Sequence, residues 1–114
     1  MSEATPLLIL STCPDAETAE RLATLLVERR LAACVNIVPA ITSIYRWQGA
    51  VEKEAEVLLL LKTTEERWDA LQSALCSAHP YDVPEVIAVP LTLAANPYVK
   101  WLREAVEEKS TCAG

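Results

Sequence analysis

Glycine is almost missing from this 114-residue chain: it has two, and only Gly49 is internal. A glycine-rich loop that cradles phosphate is thereby excluded, and no nucleophile elbow surrounds a serine or cysteine. Basic clusters are missing too. The formal net charge is −6, and Arg29-Arg30 is the only adjacent basic pair. Nucleic acid and anionic membrane surfaces both call for a positive stripe, so neither is an expected partner. No purely apolar run exceeds that of residues 57–61, far short of a membrane span. The opening residues Met1-Ser2-Glu3-Ala4 lack the positive flank and apolar core of a secretory signal, and a cytoplasmic location is expected. Cysteines stand at 13, 34, 76 and 112 with no CxxC pair among them, which reads as free thiols in a reducing compartment.

What the chain has in quantity is apolar residues, 52% of the total. A free-standing domain of this length hides only about two-thirds of its unfolded surface. The surplus points to a subunit interface.

The elements follow from periodicity. Leu7-Leu8-Ile9-Leu10 is a short strand, apolar on both faces and ended by Pro14. Asp15 caps a helix whose apolar positions Ala19, Leu22, Ala23 and Leu26 share one side, and which ends near Arg30 or Leu31. Residues 35–47 form a strand with a bulge or bend at Pro39, and Gln48-Gly49 makes a tight turn into a second long strand. On that strand Val51, Ala55, Val57, Leu59 and Leu61 share a face. Glu52, Glu54 and Glu56 make a wet edge on the other, and Leu58 and Leu60 then replace the acids.

Thr63-Thr64-Glu65-Glu66 fits a capping box before a second helix lined by Trp68, Leu71, Leu75 and Ala78. A stiff loop, Pro80-Tyr81-Asp82-Val83-Pro84, leads to a strand over residues 85–91. Asn96 as cap and Pro97 as first residue start a last helix with Tyr98, Trp101, Leu102, Ala105 and Val106 as its stripe. The order is β-α-β-β-α-β plus a C-terminal helix, an α+β, ferredoxin-like single domain over residues 1–114 with a disordered tail at 110–114. Its sheet has helices on one face only. Leu58 and Leu60, with Leu7 and Ile9 or Leu8 and Leu10 according to register, are left to water on the other. Burying each is worth roughly 1.5–3 kcal/mol, so self-association is expected.

Four stretches carry a resemblance: Glu28-Arg29-Arg30-Leu31-Ala32-Ala33-Cys34-Val35-Asn36-Ile37, Thr42-Ser43-Ile44-Tyr45-Arg46-Trp47-Gln48-Gly49, Leu61-Lys62-Thr63-Thr64, and His79-Pro80-Tyr81-Asp82-Val83-Pro84-Glu85. In order and spacing they resemble the CutA (divalent-cation tolerance) family over residues 7–103. The resemblance implies a homotrimer like that of the PII signalling proteins, with long hairpins pairing between subunits. It also implies a part in the response to divalent metal ions, with copper as the ion behind the family name. In metal-binding relatives a cysteine takes the position of Ser11 and a histidine pair that of Ala78 and His79, of which this chain keeps His79 alone.

Two kinds of site are therefore expected. For Cu(II) or another divalent cation the donors are His79, Cys76 three residues before it, and Cys13. For a small anionic ligand or a partner protein in an inter-subunit cleft, in the manner of PII-like sensors or scaffolds, the candidates are Tyr45, Trp47, Glu56, Lys62, Tyr81 and Glu85, with Lys62 set before a helix N-terminus. No catalytic residue is expected, because Ser11, Cys13, Cys34 and Cys76 lack the surroundings of an activated nucleophile.

Overall fold

A computed structural model describes residues 3–108, so the expected disordered tail and Cys112 lie outside the described residues. The strands are β1 (Pro6–Cys13), β2 (Cys34–Trp47), β3 (Ala50–Thr64) and β4 (Ile87–Pro90), and the helices are α1 (Ala16–Glu28), α2 (Trp68–Ala78) and α3 (Asn96–Ala105). They make one antiparallel sheet in the order β2-β3-β1-β4, the ferredoxin-like arrangement with a helix added. No helix of the described residues is long and apolar enough to cross a membrane.

Local chemistry explains the boundaries. Asp15 caps α1 by accepting the Thr18 N–H at 2.8 Å, which holds its carboxyl below the usual range. The helix stops at Glu28, short of the expected Arg30 or Leu31, because Arg30 turns left-handed at φ 59°. Leu31 N–H then reaches Leu26 O at 2.9 Å and Arg30 N–H reaches Val27 O at 3.1 Å, a Schellman closure. Positive φ at Gln48 and Gly49 makes the predicted hairpin turn, and the predicted bulge appears as a register shift between Val38 and Ile41 beside Pro39.

Three expectations at element ends are corrected. The capping box does not form: Thr63 and Thr64 extend β3, the Thr63 hydroxyl donates to Leu31 O at 2.7 Å, and α2 begins after a 3₁₀ turn over Glu65–Arg67. A long-range bond thus outcompetes the local cap. Asn96 does not cap α3 either; Ala95 holds that position and Asn96 opens the helix. The last strand is shorter than 85–91, ending at Pro90. Along α3, Leu102 and Val106 are buried, whereas Tyr98 and Trp101 of the expected apolar stripe are 40% and 46% exposed.

The register decides which residues face the helices. Ile9 pairs with Leu61, Ser11 with Leu59 and Cys13 with Val57, all buried against Leu22 and Leu26 of α1 and Leu71 and Leu75 of α2. On the opposite face Leu10 pairs with Leu60, and Leu8 and Leu10 meet Val89 and Ile87. Neither α1 nor α2 is packed there, and Ile87 and Val89 are about half exposed.

Candidate functional site

The end of α2 fixes the first candidate. His79 is buried, and its ring is held on both sides. Nδ1 accepts the Tyr81 backbone N–H at 3.1 Å, so Nε2 carries the proton and donates it to Thr12 O at 2.8 Å. Neither ring nitrogen keeps a free lone pair for a metal. The ring therefore ties α2 and the following loop to β1.

The other expected donors do not converge on it. Cys13 is buried in the core, where burial and then nearby Asp15 and Glu56 push its thiol up to about 11, so it is protonated at neutral pH. The thiolate is the metal ligand, not the thiol. Cys76 lies exposed on α2. Among the described residues no group of three or more His, Cys, Asp or Glu side chains is arranged to hold a metal ion. His79, Cys76 and Cys13 thus do not present a fitted copper set within one chain. Ser11, on the same face as Cys13, is fully buried with its hydroxyl unpartnered.

A cavity of about 630 Å³ opens on the face of the sheet away from α1 and α2, between the outer half of the β2–β3 hairpin and the loop after His79. Tyr45, Trp47, Glu56, Tyr81 and Glu85, expected in a cleft, all line it. The bulge at Pro39 aims Ser43 and Tyr45 toward it, opposite Glu54 and Glu52 in the register. Glu56, expected on the wet edge with Glu52 and Glu54, is instead 8% exposed. Tyr81 arches over it and donates its hydroxyl to Oε2 at 2.7 Å. Burial, then that bond and the Glu56 charge, raise the Tyr81 phenol, and partial desolvation with Glu54, Glu56 and Glu52 raises that of Tyr45. Both stay neutral hydroxyls.

Lys62 is not part of this cleft. It sits within β3, before two further strand residues and not at a helix N-terminus, and its ammonium donates to Asn36 Oδ1. Within one chain the lining holds the carboxylates of Glu56, Asp82 and Glu85 and, among the described residues, no lysine or arginine to meet the expected anion. Thr12, Ser43, Ile44, Asp82 and Val83 line the cavity and were not singled out as site residues. For Asp82 the loop between prolines was a usable signal; for Thr12, whose carbonyl anchors His79, the sequence carried none.

The comparisons with known proteins agree along the chain. The family profile described as CutA1 divalent ion tolerance protein matches residues 7–105. The Divalent-cation tolerance protein CutA of Thermus thermophilus is 51% identical over 96 residues, 84% of this chain and 93% of that protein. Protein CutA of Homo sapiens is 46% identical over 99 residues, which span 87% of this chain but 55% of the human protein. The crystal structure of CutA1 from Oryza sativa superimposes with a TM-score of 0.90 at 42% identity, covering 94% of this chain and 98% of that one. By sequence and by fold, the chain belongs to the CutA divalent-cation tolerance family.

Proposed function

We propose that the protein acts as a homotrimer in the cellular response to divalent metal ions, by binding and not by catalysis. The observation that carries the assembly is the uncovered sheet face. Leu8, Leu10, Leu58 and Leu60 are only half-buried there, beside the exposed Val38, Ile87 and Val89. That is several apolar side chains on one surface, each worth about 1 kcal/mol once its remaining exposed part is covered. A second and third copy of the same chain cover them in this reading. The relation to divalent ions comes from the family. A cytoplasmic setting suits the thiols of Cys13, Cys34 and Cys76, which are free.

Copper or another divalent cation meets Cys76 and His79 at the end of α2 in this reading, with a neighbouring copy completing the coordination. The His79 ring must then leave either Thr12 O or the Tyr81 N–H, since both nitrogens are engaged. The second reading, a ligand cleft of the PII-like kind, is favoured by the cavity that gathers Tyr45, Trp47, Glu56, Tyr81 and Glu85. Native mass spectrometry during titration with Cu(II) and Zn(II) tests the proposal. The expected result is a trimer that takes up ions stoichiometrically and loses them in His79→Ala. A monomer ends the assembly reading, and uptake indifferent to His79→Ala ends that metal site.

A further inference from the structure

The cavity between hairpin and loop has a chemical character of its own. Its volume of about 630 Å³ suits a small molecule. Three aromatic rings, those of Tyr45, Trp47 and Tyr81, line it together with three carboxylates, those of Glu56, Asp82 and Glu85. Among the described residues no ammonium or guanidinium lines the cavity with them.

Glu56 is the informative group. It is 8% exposed, and its one side-chain hydrogen bond, from Tyr81, engages Oε2 alone. A neutral phenol donating to one oxygen leaves a buried carboxylate short of a counter-charge. The same bond uses up the Tyr81 proton, so that hydroxyl has nothing left to donate to an anion. An incoming anion meets repulsion and no donor of matching charge. An incoming cation meets carboxylates and the negative faces of aromatic rings, the surroundings in which ammonium groups are held.

We propose that this cleft binds a small organic cation, with its ammonium group against Tyr45, Trp47 and Tyr81 and facing the free oxygen of Glu56. The inference rests on reading the cleft as a ligand site of the assembly, and it replaces the anionic ligand class by a cationic one. Glu56 is the charge that selects the ligand, and Tyr81 orients it. Asp82 and Glu85 at the rim add attraction that salt weakens.

The test is an NMR titration of the full-length protein with tetramethylammonium chloride, following the Trp47 indole N–H. tert-Butanol serves as the uncharged probe of similar size and inorganic phosphate as the anion. Saturable shifts with tetramethylammonium alone are expected, weakened about tenfold in Glu56→Gln, the loss of one partly buried charge contact. Should Glu56→Gln lose its fold by circular dichroism, Tyr45→Ala removes a ring outside the Glu56–Tyr81 bond and is expected to weaken binding as well. Equal shifts with tert-butanol, shifts with phosphate in place of the ammonium, or an affinity unchanged in a folded variant overturn the proposal. Native mass spectrometry on the same samples separates the two readings. A trimer indifferent to ammonium sinks this inference alone, and a monomer that binds it sinks the trimer alone.

Discussion

One strand shows two different uses of alternation. On β3 the side chains of Val57, Leu59 and Leu61 are sealed beneath α1 and α2, at 7%, 0% and 0% exposure. Their neighbours Glu56, Leu58, Leu60 and Lys62 point the other way, away from α1 and α2. The first set is satisfied within one chain. The second leaves apolar side chains half-buried, and at its hairpin end a buried carboxylate bonded through Oε2 alone. Folding and function are thus divided between two faces of the same residues.

The sharpest way to break that comparison is a pair of truncations. Leu59→Ala opens a void in the closed core and is expected to cost about 2–5 kcal/mol in urea unfolding, whatever the protein concentration. Leu60→Ala on the open face is expected to weaken the assembly, so that its loss grows on dilution. Equal losses, both independent of concentration, would remove the distinction between the faces.

A smaller effect concerns pH. The Cys13 thiol is raised from 9.0 to about 11 by burial. Above about pH 9 the unfolded chain releases that proton while the folded one keeps it, so stability falls as pH rises from about 9 to 11. At full ionisation the loss is of order 2–3 kcal/mol. The Tyr81 phenol, raised from 10.0, adds slope in the same direction only above that pH. Cys13→Ala should flatten the first part of the decline in denaturation curves taken across this range. An unchanged slope would place its origin elsewhere.

The smallest effect has the opposite sign. Ser11 brings an unpartnered hydroxyl into the sealed face. Ser11→Ala is expected to raise stability by about 1 kcal/mol, because nothing is lost but an unsatisfied group. A destabilised variant would mean that the hydroxyl has a partner in the working protein.

Most of the architecture was legible in the residues. The alternation along β3, the 3.6-residue spacing in α1, the bulge at Pro39 and the Gln48-Gly49 turn rest on interactions among near neighbours, and local sequence records those. Helix starts were read less well. Thr63 looked like a cap because its neighbours allow one, yet its hydroxyl bonds to Leu31, 32 positions away. Five of the six cleft candidates do meet, but Lys62 does not. No local pattern says which end of a strand another element reaches.

The sequence by itself determined the order of the elements and the existence of an apolar surplus, because both are written in spacing and composition, and it carried the family through four stretches that resemble it. Only the tertiary structure decided that His79 spends both nitrogens on the backbone, that Glu56 lies under Tyr81, and that the cleft is acidic. The His79–Thr12 and Tyr81–Glu56 bonds join residues 67 and 25 positions apart, and a linear pattern does not encode that approach.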